Sequence, residues 1–246
     1  NFSTFERERS ANIGSERMRC LRVRYTKLGK IRFIGHRDVA RIWERSLRKA
    51  SIPVLYSQGF SPHPRISFGL ALPTGFESEA EYVDIYLGED FFMDGFDERI
   101  IQENINRALP AGMDSLAVGI VATSGDSLQE LVDACLWKVR VSGVNFEEFK
   151  EIRENLFSSD SLIIERERKG KILVEDVRSQ VHSMDITEEH IDGVTILTEL
   201  GTKPRVLRPT DLLKRINSEL RTMRVLRKEQ LTLQGNQRIE PLSIEL

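Results

Sequence analysis

Apolar and charged residues alternate near the start of the chain. Leu21, Val23 and Tyr25 are separated by arginines, and after "KLGK" apolar residues resume at 31–34. A period of two is typical of a half-buried strand. We therefore predict a strand or a hairpin whose arginines lie on the solvated face, ended by Gly35.

The next segment, "RDVARIWERSLRKA", has a helical period. Its apolar residues recur every three or four positions: Val39, Ile42, Trp43, Leu47 and Ala50. A second set with the same spacing is basic: Arg37, Arg41, Arg45 and Arg48. This pattern predicts an amphipathic helix with a buried apolar face and arginines on another side.

The same reasoning extends over residues 53–122. It predicts short strands at Pro53–Tyr56 and Ile66–Leu70, a strand at "EYVDIYL", a helix over Phe96–Leu109 and a strand at "SLAVGIVA". The order of strand, helix, strands, helix and strand is ferredoxin-like.

A change of composition at Thr123–Ser127 predicts a domain boundary, after which a similar order recurs. The later elements are a strand at "LWKVRV", a helix over Phe146–Phe157, two strands around "RKGK", a strand at "GVTILTEL" and a helix that begins near Pro209. We predict an α+β fold of two tandem ferredoxin-like (βαββαβ-type) halves with antiparallel sheets. The boundaries are a flexible arm at 1–17, a basic domain at 18–122 and a second α+β domain at 128–246 with a C-terminal extension. The alternative is one α+β domain with a shared sheet.

Composition restricts the class of protein. The chain of 246 residues contains no apolar run of the roughly 18–20 residues that a membrane span requires, and its first thirty residues do not resemble a signal peptide. We therefore expect a globular cytoplasmic protein without membrane contact. The two cysteines, Cys20 and Cys135, are far apart in sequence and suggest neither a disulfide framework nor a CxxC metal pair.

The net charge of −2 hides a strong asymmetry along the chain. Between Arg17 and Arg65 thirteen basic residues face only two acids, whereas between Glu77 and Glu103 ten acids face one arginine. A cluster of cations on a strand and a helix creates a field that attracts polyanions. The acidic stretch offers the opposite explanation, because it could neutralise the basic residues within the chain.

The loop "YSQGFSPHPRISFG", Tyr56–Gly69, follows the basic helix. Gly59 permits a positive φ, and Pro62 and Pro64 restrict the backbone, so this connection should be stiff. It combines an amide, aromatic rings and a cation, which is the chemistry that stacks on bases and binds phosphate. The alternative is a rigid connection in which Phe60 and Phe68 belong to the core.

These observations predict an RNA-binding surface formed by the basic strand, the basic helix and the loop. DNA or an acidic protein is the competing partner. The predicted RNA-binding residues are Arg22, Arg24, Lys27, Arg32, His36, Arg37, Arg41, Tyr56, Gln58, Phe60, His63 and Arg65.

Catalysis is a weaker possibility. If His36 and His63 lay on the same rim, they could act as acid and base on a ribose 2′-hydroxyl without a metal. A histidine at a helix start more often caps the helix or contacts phosphate. No spacing supports a metal site, no cofactor is expected, and the chain has no GxGxxG, GxxxxGK followed by Ser or Thr, GxSxG or HExxH motif. "HRD" at 36–38 lacks the other kinase motifs.

Three motifs closely resemble those of the radical-SAM-linked domain family of uncharacterised bacterial proteins. The first, F-x-G-H-x-D, is formed by Phe33, Gly35, His36 and Asp38. The second is "YSQGFSPHPR" at 56–65. The third is formed by Pro73, Gly75, Ser78, Glu81 and Tyr82. "VLRPTDLL" at 206–213 is similar to a carboxy-terminal signature of the same family.

The resemblance implies an association with radical SAM enzymes, while the family's own activity is not established. This chain has no CxxxCxxC motif for the 4Fe–4S cluster of such enzymes, so it would be an accessory. We predict a non-catalytic RNA-binding module that presents a tRNA or ribosomal RNA to a radical SAM enzyme. The alternatives are a ribonuclease or RNA-modifying enzyme that uses His36 and His63, and a scaffold that docks a radical SAM partner.

Overall fold

A computed structural model describes residues 18–58, 60–88, 90–91, 97–123, 127–168, 170–235 and 237–243. The predicted arm at 1–17 lies outside these residues. The described chain is a mixed α+β protein with five α-helices and a mostly antiparallel sheet, which confirms the predicted class at this level. None of the described helices combines the length and the apolar character needed to cross a membrane.

The first half forms four strands and two helices: β1 (Met18–Lys27), α1 (His36–Lys49), β2 (Ile66–Phe68), β3 (Glu77–Tyr86), α2 (Glu98–Ala108) and β4 (Ser115–Thr123). Strand β1 lies between β4 and β3, and β2 pairs with the far side of β3. All of these pairings are antiparallel. The helix α1 packs on the sheet through its apolar face, where the ring of Trp43 contacts Tyr25 edge to face at 4.9 Å.

The second half contains three helices and seven strands: α3 (Leu128–Leu131), β5 (Ala134–Ser142), α4 (Phe146–Ser158), β6 (Ile163–Arg168), β7 (Lys171–Asp176), β8 (Val181–His190), β9 (Gly193–Gly201), α5 (Pro209–Ile216), β10 (Arg221–Gln234) and β11 (Gln237–Ile239). Its strands follow the order β10–β5–β9–β8, while β6 and β7 form a separate two-stranded sheet. A reciprocal capping box between Asn145 and Glu148 begins α4, and Pro209 begins α5 as predicted.

Strand β10 joins the two halves. It pairs antiparallel with β5 and, in parallel register, with β3, so that Glu77 lies opposite Leu226 and Ser78 opposite Arg227. A single nine-stranded sheet results. The antiparallel sheets predicted for the two halves are therefore joined into one mostly antiparallel sheet, and a shared sheet was the alternative interpretation.

Two large apolar cores and a small third cluster, Ala80, Tyr82 and Leu128, are found among the described residues. The core of the first half includes Val23, Trp43 and Ile105, and the core of the second half includes Trp137 and Phe149. Buried apolar surface is the main favourable contribution to folding, so each half has its own source of stability.

Several predicted elements differ from the structure. The residues after β1 form a 3-10 helix, Gly29–Phe33, and not a second strand of a hairpin. Pro53–Tyr56 forms only isolated bridges at Val54 and Tyr56. Strands β8, β10 and β11 and helix α3 were not predicted from the hydrophobic periodicity, and the predicted helix start at Phe96 lies outside the described residues.

Candidate nucleic-acid interface

The basic side of α1 faces solvent. Val39, Trp43, Ser46 and Leu47 are buried on the opposite face, which leaves Arg37, Arg41, Arg45 and Arg48 exposed as predicted. Arg41 forms a solvent-exposed pair with Asp38 at 3.3 Å. Within the described part of the chain, Arg37, Arg45 and Arg48 form no ion pair. The helix thus presents a row of guanidinium groups to solvent.

The basic residues of β1 have a different environment. Arg22 is only 3% exposed and forms a bidentate pair with Asp84, with nitrogen to oxygen distances of 2.7 and 2.8 Å. Its remaining nitrogen donates to the carbonyl oxygen of Pro241 at 2.6 Å. The guanidinium is therefore fully engaged inside the protein, and the expectation that it lies on a solvated face is wrong.

Arg24 and Lys27 are also engaged within the fold. Arg24 pairs with Glu240 at 2.5 Å and donates to the carbonyl oxygen of Glu79. Lys27 is buried, and its Nζ donates to the carbonyl oxygen of Ile34 at 2.9 Å. Burial lowers the pKa of Lys27. The alternation predicted that these side chains lie in water. Lys27 is instead buried, and the side chain of Arg24 is mostly covered.

The acidic stretch that follows pairs with basic residues of β10. Glu77 contacts Arg224, Glu79 contacts Lys228, and Glu81 contacts Arg227. The alternative raised by the charge pattern, neutralisation of the basic 17–65 stretch by these acids, applies to Arg22 with Asp84 and to Arg32 with Glu77 at 3.8 Å. The row of arginines on α1 is not included in this neutralisation.

The predicted loop forms a short hairpin beyond the end of α1. The backbone N–H of Ser57 donates to the carbonyl oxygen of His63, and the N–H of His63 donates to Oγ of Ser57. An isolated bridge joins Tyr56 to Pro64. These contacts restrain the hairpin, which agrees with the predicted stiffness; Gly59 lies outside the described residues.

The two phenylalanines of this segment have opposite surroundings. Phe60 is fully exposed at the hairpin tip, whereas Phe68 packs against the core of the first half. Core placement is therefore wrong for Phe60 and correct for Phe68. Tyr56 is 51% exposed, and Gln58 and His63 are also exposed.

Arg65 lies at the base of the hairpin. Its guanidinium carbon is 5.0 Å from the centroid of the Tyr86 ring, and the side chain is partly buried. Stacking against an aromatic ring holds the cation in a fixed orientation.

A further exposed aromatic residue, Phe33, was not among the predicted RNA-binding residues. It is 61% exposed, and the guanidinium of Arg32 lies over its ring at 4.4 Å from the centroid. The periodicity assigned this residue to a strand, where a phenylalanine is usually half-buried. The signal that could have identified it is its position among the cations Lys30, Arg32 and Arg37.

His36 begins α1 and is exposed. Its ring meets Phe68 edge to face at 5.1 Å and borders a cavity of about 20 Å³ that is also lined by Lys27 and Glu81. This volume suits one water molecule and no substrate.

The structure does not bring His36 and His63 together. Phe68, which contacts His36, pairs with Val83, whereas the hairpin base at Leu55 and Arg65 forms backbone hydrogen bonds with Tyr86, about 10 Å further along β3. His63 lies beyond that base. The strand register therefore places the two histidines apart along β3.

The cysteines have the character of core residues. Burial and the charge of Asp84 raise the pKa of the Cys20 thiol, and burial raises the pKa of Cys135 to about 11. Over the described ranges, no group of three or more His, Cys, Asp or Glu side chains is arranged to hold a metal ion.

Comparisons with known proteins support the bacterial-family part of the resemblance. A search of curated proteins finds no match. A family model described as "Uncharacterized protein conserved in bacteria" matches residues 20–209, which include α1, the hairpin and most of the shared sheet. Because this match spans more than half of the chain, the protein belongs to the bacterial family DUF2344.

Proposed function

We propose that this protein is a non-catalytic RNA-binding module that presents a tRNA or ribosomal RNA to a radical SAM modification enzyme. The observation that carries the RNA part is Phe60, a fully exposed aromatic ring at the tip of a hydrogen-bonded hairpin. A ring held in water has no role in the core, whereas it can stack on an unpaired base.

The row of arginines on α1 supplies the second element of the proposal. Arg37 and Arg48 are eleven residues apart, so the row extends about 16 Å along the helix. Phosphate contacts position a nucleic acid without reading its sequence, and stacked bases add affinity. Arg22 and Lys27 are no longer part of the proposed surface because they are buried.

We further propose that the halves are tandem ferredoxin-like units that share one sheet. The strands of the first half are neighbours in the order β4–β1–β3–β2. Without β6, β7 and β11, the strands of the second half follow the order β10–β5–β9–β8. In both halves the fourth, first, third and second strands are therefore neighbours in that order. The association with radical SAM enzymes rests on the sequence resemblance. Purification of the tagged protein from its own cells, followed by identification of bound proteins and RNA, tests both partners.

The RNA proposal predicts a selective effect of Phe60→Ala. Loss of one stacked base should weaken binding to a single-stranded RNA oligomer about tenfold or more, measured by fluorescence anisotropy. The melting temperature should stay close to that of the wild type because the ring is exposed. Ile172→Ala, which removes an exposed apolar side chain from β7, is the matched control and should bind normally.

Two results would contradict this proposal. Equal affinity of Phe60→Ala and the wild type would remove the hairpin from the interface. A wild-type protein that retains no RNA at low salt, but retains a protein partner, would favour the scaffold.

A further inference from the structure

A groove of about 860 Å³ lies in the second half, between β6 and the segment that leads into α5. Ile164, which is buried, and Val206, which is partly buried, supply apolar surface. The volume falls in the range of pockets that bind small molecules, roughly 300–1,000 Å³. One wall of the groove is part of the segment 206–213, which the sequence analysis singled out and the RNA proposal does not use.

The charges of this groove are mostly basic. Four cations and two carboxylates line it: Arg205, Arg208, Lys214, Arg215, Glu165 and Asp211. Arg205 is paired with Glu175 at 3.3 Å, and Arg215 donates to the carbonyl oxygen of Ile163. Arg208 and Lys214 are exposed and have no carboxylate partner among the residues that the structure describes.

Helical spacing directs these groups to the same side. Lys214 and Arg215 follow Asp211 at intervals of three and four residues along one side of α5, while Leu212 and Leu213 are buried on the other face. Arg208 occupies the N-cap position of α5, and its side chain makes no capping hydrogen bond. Among the described residues, Arg215 uses only its Nε, which donates to the carbonyl oxygen of Ile163, so its terminal nitrogens have no partner there. Three cationic groups, Arg208, Lys214 and Arg215, thus border an apolar surface together with the carboxylates of Glu165 and Asp211.

We propose that this groove binds a small phosphorylated ligand with an apolar body, of about mononucleotide size. Arg208, Lys214 and Arg215 would hold the phosphate, since guanidinium groups match phosphate oxygens in a bidentate geometry and lysine adds a point charge. The base or other apolar body would lie against Ile164 and Val206. The inference does not depend on the RNA proposal, whose residues all lie in the first half.

Calorimetric titration with AMP, GMP, CMP and UMP tests the proposal. We expect at least one of them to bind with submillimolar affinity, and expect the matching nucleoside and inorganic phosphate each to bind about tenfold more weakly or worse. The variant Arg208→Gln with Lys214→Gln should lose about tenfold or more of the nucleotide affinity. Lys150→Gln, an exposed lysine on α4, is the control and should bind as the wild type does.

Three outcomes would overturn the inference. No binding of any of the four nucleotides at millimolar concentration would do so, as would equal affinity of the double variant and the wild type. Displacement of the nucleotide by an acidic peptide or by a single-stranded RNA at lower concentration would assign the groove to a macromolecular partner.

Discussion

Arginine side chains in β1 and α1 have opposite surroundings. Arg22 lies in the interior with Asp84, while Arg45 on α1 is exposed and unpaired in the described chain. A buried charge is tolerated only when it is paired and hydrogen-bonded, and Arg22 satisfies this condition through Asp84 and Pro241. Arg22 is thus a structural residue, and only exposed arginines are suited to bind a ligand.

The buried pair leads to a prediction at the residue scale. Asp84→Ala should lower the free energy of unfolding by about 3–5 kcal/mol because it leaves Arg22 buried without a counter-charge. Glu103→Ala, which removes an exposed pair with Arg107 at 3.2 Å, should change it by only about 0.5 kcal/mol or less. Urea unfolding of both variants measures the difference. Similar small effects would mean that Arg22 is hydrated.

At the scale of elements, the end of α1 directs the chain into the hairpin. The N–H of Ile52 donates to the carbonyl oxygen of Leu47, and the N–H of Ser51 to that of Arg48, which forms a Schellman motif. Ser51 adopts the required positive φ of 56°. Because Leu47 and Ile52 are both buried in the first core, the helix and the hairpin base share one anchor.

The exposed side of α1 predicts a salt dependence. Arg41→Gln with Arg45→Gln should flatten the slope of log affinity against log salt by about 1.4, since each phosphate contact on a single strand contributes about 0.7. RNA titrations between low and physiological salt measure this slope. The control Lys150→Gln with Lys203→Gln removes equal charge from the second half and should leave the slope unchanged. A wild-type affinity that does not vary with salt would refute the electrostatic contribution.

At the scale of the whole molecule, ion pairs connect the two halves along β3 and β10. Arg227 is 1% exposed, pairs with Glu81 at 2.5 Å and lies 5.5 Å from the ring centroid of Trp137 in the second core. Glu77 accepts hydrogen bonds from Arg224 of the second half and from the backbone N–H of Gly29 in the first. The backbone ladder between β3 and β10 has only two residue pairs. These side-chain contacts therefore add to the connection between the two halves.

This junction should be sensitive to acid. Burial alone would raise the pKa of Glu77, but the hydrogen bonds from Arg224 and Gly29, with the charges of Arg224 and Arg32, outweigh burial and lower it. A lowered pKa in the folded state stabilises the protein above the unfolded value, near 4.3, and this stabilisation disappears as the pH falls through the folded value.

Glu77→Gln should therefore reduce the free energy of unfolding at pH 7 by about 1–3 kcal/mol. The difference from the wild type should narrow as the pH falls below about 4, as measured by urea unfolding at several pH values. Glu147→Gln, on the exposed side of α4, should have nearly the wild-type free energy of unfolding at every pH measured. A gap that is independent of pH would show that the charge of Glu77 is not the source of its stabilisation.

The sequence alone determined much of the local structure. The apolar spacing of Val39, Trp43 and Leu47 placed one side of α1 in the core, and the arginines between them consequently lie in water. Pro62 and Pro64 indicated a stiff segment at 56–65, because the effect of a proline on the backbone is local. The structure that a helical period or a proline favours depends little on residues that are distant in sequence.

Only the tertiary structure decided which side chains of β1 are buried and that β10 is a strand of the sheet. A strand whose charged side is covered has the same period of two as a strand that faces water, so only the position of Asp84 reveals that Arg22 is buried. Strand β10 was missed because its buried positions include Arg227 and Gln230, which no hydrophobic pattern marks. The separation of His36 from His63 likewise follows from strand register. Contacts between residues distant in sequence determine which charges are neutralised and which remain available to a ligand.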